Sequence, residues 1–403
     1  MMAMPRRVWI VGSGFSKSLG GPLLRNLFRQ QQTEDILPYF PADQYPDLAV
    51  SLPWVQAAFK CGLDEGLWEN AEEFIAFVVD AYREETVPKQ RLRLLISRIP
   101  PPTERVRSFR GQLTKDFDRQ VTRALAAECE RFLTNATPSS EQWRPYVEWA
   151  KSLDPAQDTV LSFNYDRVIE VAVKEAGAER SFWFAMPSGD REPQPARVAV
   201  LKLHGSVDWT HPDFDTSSHF SHSISAAHNV SQLDGENGGA VVRIRTDIKR
   251  LSSGDILKDP KVDIAIAAPG GAKAQFVTTF FPELWAQAEQ RIEDADELLI
   301  VGYSFPDTDP TPQMRLLNAF GNSAGTRRDP RSVHIVMGAD QTPASHRLVS
   351  LVRSTAKPNG SVSVTDAAEF GKAADLRVVL HPLGARDFVG RHSSFTTWRQ
   401  RCE

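Results

Sequence analysis

Cysteine is scarce: Cys61, Cys129 and Cys402 are the only three in 403 residues. They are scattered, so neither a disulfide framework nor a four-thiolate zinc site can be assembled from them, and reduced thiols in a cytosolic protein are expected. Long hydrophobic runs are also missing, and nothing approaches the ~20 apolar residues that span a membrane as a helix. Near the amino terminus Arg6 and Arg7 precede an apolar stretch, Val8 to Val11, that Gly12, Ser13 and Gly14 end too early for a secretory signal. A cytoplasmic location without membrane association is expected. Neither sign of charge dominates: 47 Lys and Arg face 51 Asp and Glu, a formal net charge of −4. No global basic field draws the chain to nucleic acid, so direct nucleic-acid binding is not expected.

What is present is ordinary globular composition, 41% hydrophobic and 24% charged, with enough chain for one large domain or two moderate ones. Short apolar, β-branched runs recur and end in small or polar residues, as buried parallel strands do. They are RVWIVGSG ending at Gly14, TVLSFNYD at Asp166, AVLKLHGS at Ser206, VDIAIAAPG at Gly270, ELLIVGYS at Ser304, SVHIVMG at Gly338 and LRVVLHP at Pro382. Helical spacing lies between several of them. One helix is expected from about Ser16 with Leu19, Leu23, Leu24, Leu27 and Phe28 on one face, another from about Pro282 to Ala295. This alternation predicts an α/β fold, a doubly wound, mostly parallel Rossmann-like sheet. From about 40 to 150 the rhythm becomes helical, in AEEFIAFVVDAYREE, KQRLRLLISRI and FDRQVTRALAAECERFL. The expected organisation is therefore a sheet domain of residues 1–39 and 151–403 with an inserted helical module, 40–150. Residues 210–260, rich in Ser, His, Asp and Gly, predict an irregular excursion with a short hairpin around VVRIRT.

Four strand ends carry candidate chemistry. Gly12-Ser13-Gly14-Phe15-Ser16 is a glycine-rich turn into a helix, which lets backbone amides approach a phosphate while Ser13 and Ser16 offer hydroxyls. Lys17 stands where the common dinucleotide fingerprint has its third glycine; the alternative is a plain glycine-eased turn. Asn164 and Asp166 end the second run, where an amide and a carboxylate can bond sugar hydroxyls, water or a carboxamide; Asp166 could equally cap the helix that follows. His204 follows the third run beside Gly205, which leaves space for a ligand, and an imidazole there can take a proton from a sugar hydroxyl or steer water. Gly302 and Ser304 end a later run and could line a phosphate or the adenine side of a nucleotide; Pro306-Asp307-Thr308-Asp309 is also good turn chemistry. His211, His219, His222 and His228 crowd one polar loop, but their spacing fits no standard ligand pattern and no metal is expected.

The order GSGFS, SFNYD, LKLHGSVDW, GYS closely resembles the sirtuin family, in which a Gly-Ala-Gly-x-Ser turn, a Gln-Asn-x-Asp segment, a Leu-His-Gly-Ser segment and a Gly-x-Ser segment follow one another. The resemblance runs over roughly residues 7–340. It implies that Gly12, Ser13, Gly14 and Ser16 face the phosphates of NAD. It further implies that Asn164 and Asp166 hold the nicotinamide–ribose end, that His204 acts on the ribose hydroxyls or the nucleophile with Gly205 beside it, and that Gly302 and Ser304 border the adenosine half. The chain departs from deacetylating sirtuins in lacking both Cys-x-x-Cys pairs of their zinc module, in Ser13 for alanine and in Phe163 for glutamine. In that it resembles the zinc-free sirtuin-like NAD hydrolases of bacterial antiviral defence, stand-alone members of which work with a hexameric ATPase of the HerA type. The resemblance thus implies an NAD glycohydrolase, with NAD as substrate and no zinc, that depletes NAD and assembles as a homo-oligomer. Two alternatives stay open: NAD-dependent ADP-ribosyl or acyl transfer on a protein, and a non-catalytic nucleotide-sensing subunit.

Overall fold

The structure is a computed structural model and describes residues 5–23, 26–28, 37–83, 90, 94, 117–187, 196–211, 248–250, 252–259, 262–270, 273–306, 309–323, 331–338, 343–355, 362–366 and 376–391. The chain divides into two compact units, Met1–Gly21 with Asn135–Leu203 and Glu283–Glu403, and Pro22–Thr134 with His204–Pro282.

The first unit is built on an eight-stranded sheet. Its strands are β1 (Arg7–Val11), β2 (Asp158–Ser162), β3 (Phe182–Phe184), β4 (Val198–Lys202), β8 (Glu297–Val301), β9 (Arg331–Val336), β10 (Val362–Asp366) and β11 (Leu376–His381). They lie in the order β10-β11-β9-β8-β1-β2-β4-β3, and all pairings among the described residues are parallel. The Rossmann-like α/β architecture expected from the sequence is therefore observed. From β1 the chain crosses to β2 on one side, while β8 lies on the other side and leads outward to β9. The winding thus reverses between β1 and β8, which is where open α/β sheets place ligands, outside the carboxyl ends. Those ends are level: Val11 stands opposite Ser162 and Val301, and Ser162 opposite Lys202.

β1 and β2 are buried at every position, as central strands covered on both faces must be. Two of their residues are charged, and geometry accounts for both. Arg7 Nη2 reaches Asp158 Oδ2 at 2.7 Å, Trp9 Nε1 donates to Asp158 Oδ1 at 3.0 Å, and the Asp154 amide donates to Asp158 Oδ2 at 2.8 Å. Burial pushes the Asp158 carboxyl up, with Arg7 and these donors opposing it. The Trp9 ring packs edge-on to Trp149 at 5.5 Å and to Phe388 at 6.1 Å. Burying one such ring contributes about 2–3 kcal/mol.

The first turn after β1 corrects one expectation. Instead of a long amphipathic helix from Ser16, the chain makes a single turn, α1 (Ser13–Ser16), tightens over Lys17–Leu19, and ends at Gly20 with φ 98°. Gly20, Gly21 and Pro22 explain the stop: a left-handed residue closes the turn and proline cannot continue it. A helix begun at Ser16 therefore ends before Leu23, and Leu24 lies outside the described residues.

The second unit holds helices α2 (Pro46–Asp64), α3 (Ala71–Arg83) and α4 (Phe117–Thr134). It also holds an antiparallel sheet of β5 (Gly205–His211), β6 (Lys249–Arg250) and β7 (Asp263–Ile266) in the order β6-β5-β7. The VDIAIAAPG run, expected among the parallel strands, is β7 of this sheet; its apolar run reflects burial, which does not distinguish parallel from antiparallel partners. Phe28, Phe59, Phe74 and Phe117 form an aromatic core, with ring centroids 5.6–6.5 Å apart. Gly62 lets α2 meet the Trp68 indole, whose Nε1 donates to Phe59 O at 2.8 Å. Buried Arg123 on α4 donates to the carbonyls of Ile256, Leu257, Asp259 and Val262. These are orphan acceptors at and beyond the end of α7 (Ser253–Lys258), the helix that follows α5 (Arg144–Ser152) and α6 (Val168–Glu175) in the chain. Burial lowers the Arg123 guanidinium to about 10, with Arg119 acting in the same direction. KQRLRLLISRI, the VVRIRT hairpin and His219, His222 and His228 lie outside the described residues, KQRLRLLISRI apart from Gln90 and Leu94.

Candidate active site

Glycines let two turns touch at the reversal of winding. Gly12 N donates to Val301 O at 3.2 Å and Gly14 N to Gly302 O at 3.0 Å. A Cβ on Gly14 would lie 2.6 Å from Gly302 Cα, and one on Gly12 2.7 Å from Tyr303 Cβ. Gly302 itself has φ 68°, and a Cβ there would lie 2.5 Å from the backbone of Gly14 and Phe15. These glycines, expected from the sequence beside a nucleotide, allow the close approach of the turns after β1 and β8. On either side of β1, Phe163 and Tyr303 stack with centroids 4.0 Å apart and planes 2° apart.

Around Ser304 the main chain is clamped by residues that carry no motif. Arg347, on α10 once α8, α9 and α10 are numbered as Lys273–Phe280, Pro282–Asp294 and Pro343–Thr355, donates to Ser304 O at 3.0 Å and to Phe305 O at 2.5 Å. Gln313 donates to Phe305 O at 2.7 Å. These bonds hold Phe305 at φ 48°, a conformation costly for a non-glycine residue. Tyr303 Oη donates to Asp309 Oδ2 at 3.2 Å.

Ser16, Asn164 and Asp166 form one polar chain. Ser16 Oγ donates to Asp166 Oδ2 at 2.7 Å and accepts from Asn164 Nδ2 at 2.9 Å. Asp166 Oδ1 accepts from the Val168 amide at 3.1 Å, a local turn just ahead of α6; the N-cap of that helix is Arg167, with no side-chain cap bond, so Asp166 is not the N-cap that the sequence offered as the alternative. The Asn164 amide donates to Ser162 Oγ at 3.2 Å. All three side chains are buried. Burial pushes the Asp166 carboxyl up to about 6, with the Ser16 hydroxyl, Lys202 and the Val168 amide opposing and Glu170 adding to the rise. With its NH₂ engaged by Ser16, Asn164 has its carbonyl oxygen left to accept, and among the described residues none donates to it.

α1 is anchored from α5. Tyr146 Oη donates to Phe15 O at 2.7 Å and shares a 2.6 Å hydrogen bond with Ser18 Oγ, and its ring meets Phe15 edge-on at 5.1 Å. Burial pushes this phenol up to about 12, so it stays a donor at any ordinary pH.

β4 remains in the sheet through Leu203, whose amide donates to Ser162 O at 2.9 Å. His204 is the next residue; it is buried and opens the second unit, where its carbonyl accepts from Ala267 N at 2.8 Å. Gly205 has φ 81°, and a Cβ there would lie 2.0 Å from Ala265 O, so the β7 backbone occupies its open side. The first unit thus brings together Gly12, Ser13, Gly14, Ser16, Asn164, Asp166, Gly302 and Ser304, while His204 and Gly205 belong to the second. Among the described residues no group of three or more His, Cys, Asp or Glu is placed to hold a metal.

Part of the sequence has a counterpart among known families. Residues 158–350 match the SIR2-like domain. That domain match takes in Asn164, Asp166, Lys202, His204, Gly302 and Ser304 and covers just under half of the chain; the GSGFS turn precedes it. No curated protein matches the sequence. Among solved structures the chain is similar to one from a study of the mechanism and regulation of Sir2 enzymes, with 12% identity over 99% of this chain and 94% of that one and a TM-score of 0.36. It is also similar to a Sir2 protein with a p53 peptide and NAD+, at 11% identity over 97% and 93% with a TM-score of 0.32. Both likenesses are loose, and the fold of this chain rests on its own sheet order.

Proposed function

We propose that this protein binds NAD across the carboxyl edge of the sheet and hydrolyses its nicotinamide–ribose bond, giving nicotinamide, ADP-ribose and a proton. The observation that carries the reading is the polar chain Ser16–Asn164–Asp166 at the reversal of winding, beside the touching Gly14 and Gly302 turns. The match of residues 158–350 to the SIR2-like domain supports the choice of NAD.

Cationic nicotinamide is a good leaving group, so the demands on the enzyme are to stabilise an oxocarbenium-like sugar and to place water against it. An Asn164 carbonyl oxygen with its NH₂ tied to Ser16 is suited to accept a hydrogen from that water or from a ribose hydroxyl. Asp166 contributes by fixing Ser16, and through it the direction of the Asn164 amide. His204, one residue past the last sheet bond of β4, is assigned the proton from the attacking water. Gly12, Ser13, Gly14, Gly302 and Ser304 are assigned to the phosphates and the adenosine half. The biological setting we attach to this reading is NAD depletion in antiviral defence, by a cytoplasmic self-assembling protein working with a HerA-type ATPase.

Purified protein, alone and with such a partner, should release nicotinamide from NAD, and Asn164→Ala and His204→Ala should each lower the rate at least ~100-fold. Wild-type rates in both variants would refute the assigned roles. Mass spectrometry showing ADP-ribose on a protein would replace hydrolysis by transfer, and tight NAD binding without turnover would make the chain a sensor.

A further inference from the structure

Lys202 lies at the end of β4 and is 2% exposed, a costly place for an ammonium group unless its donors are engaged. Its Nζ donates to Asp166 O at 2.6 Å, reaches Tyr165 O at 3.5 Å, and pairs with Glu170 Oε1 at 3.2 Å. The two carbonyls belong to the turn between β2 and α6 that carries Asn164 and Asp166. The N-terminal end of a helix disfavours a cation, so α6 does not itself attract this charge; Glu170 in its first turn supplies the counter-charge. The side chain of one strand thus grips the backbone of the neighbouring strand's loop from beneath.

We infer that Lys202 is a positioning residue, a latch that holds the Asn164–Asp166 turn in the geometry the polar chain requires. This rests on the NAD-hydrolysing reading for its effect on turnover, but not for its effect on the loop. An apolar residue of similar length would fill the same buried space beside the turn, and would leave the Asp166 carbonyl ungripped and the turn free to drift. Because Asn164 is proposed to act on the reacting atoms, drift of the order of 1 Å lowers kcat about 100-fold while nucleotide contacts elsewhere keep KM within a few-fold.

The test pairs Glu170→Gln, which strands the Lys202 charge at a cost in thermal stability but keeps its grip on Asp166 O, with Lys202→Met/Glu170→Gln, which removes both charges so that none is stranded. Both are measured for thermal unfolding, for kcat and KM of nicotinamide release from NAD, and for hydrogen–deuterium exchange of the amides of residues 163–168. Glu170→Gln should stay within about threefold of wild type in kcat, and the double variant should lose about 100-fold in kcat with faster exchange confined to 163–168. Should the double variant fold poorly, Lys202→Leu/Glu170→Gln carries the same test with a shorter side chain that likewise has no donor for Asp166 O. A folded double variant with wild-type kcat and wild-type exchange overturns the latch. Faster exchange in 163–168 combined with a wild-type protein that neither binds nor cleaves NAD upholds the latch and overturns the NAD reading.

Discussion

Gly302 and Gly177 have nearly the same backbone conformation, φ 68° and φ 64°, in very different surroundings. Gly177 follows α6, donating to Lys174 O at 3.0 Å, and a Cβ there meets nothing within 4 Å. Replacing it with alanine adds only the left-handed strain, about 1 kcal/mol. Gly302→Ala adds that strain and three overlaps at 2.5 Å, all with backbone atoms of Gly14 and Phe15 that cannot rotate away. Ordinary contact would need the two turns to part by about 1 Å, straining or breaking the Gly14 N–Gly302 O bond, at about 1–3 kcal/mol for overpacking and a similar amount for the buried polar pair. The expected totals are about 3–7 kcal/mol for Gly302→Ala against about 1 kcal/mol for Gly177→Ala. Urea unfolding of both variants beside wild type reads the difference directly. Equal losses in the two variants would show that the turns do not need to touch and would remove the structural account of Gly12, Gly14 and Gly302 together.

Asp166, raised to about 6 by burial, takes up a proton in the folded state at pH values where the unfolded chain, at about 4, has released it. The penalty for its charge is absent below about pH 4, grows as pH rises to about 6, and is constant above. The stability of wild type relative to Asp166→Asn should therefore fall by on the order of 3 kcal/mol across that window, and a rise or a flat profile in denaturation at stepped pH would contradict the burial argument. Arg7→Met should cost about 3–5 kcal/mol by stranding the Asp158 carboxylate, and Arg7→Met/Asp158→Asn should cost less, as measured by equilibrium unfolding. Arg123→Met leaves the carbonyls of Ile256, Leu257, Asp259 and Val262 without their shared donor. It should destabilise the protein by several kcal/mol with accelerated exchange in 253–262, and normal exchange there would show the cap to be dispensable.

The central sheet could be read from the chain because β1, β2, β4 and β8 are apolar runs bounded by glycine or polar residues. Burial on both faces leaves that signature whatever the neighbours are. The same signature does not say which sheet a run joins, and β7, expected among the parallel strands, pairs antiparallel with β5. The signal for β5 is different in kind: Ser206, Asp208 and Thr210 alternate with Val207 and Trp209, a period-2 pattern rather than an apolar run. β3, three residues of Phe and Trp, was too short to register, and α2 was hidden by Pro53 within its span. In the site, Asn164, Asp166 and the glycines stood out by type and position. Lys202 and Arg347 did not, because each works on backbone carbonyls of a distant segment, and only the fold says which carbonyls lie within reach.

Asn164 has a polarity that Ser16 settles in advance. With one NH₂ hydrogen given to Ser16 Oγ, the carbonyl oxygen is the group left to receive hydrogen. On the proposed NAD reading, a ribose bearing fluorine in place of the hydroxyl assigned to this oxygen would have nothing to hand over and would be set against a bare lone pair, whereas an amino sugar would still be accommodated. The side chain would then sort prospective guests by which of them brings the proton.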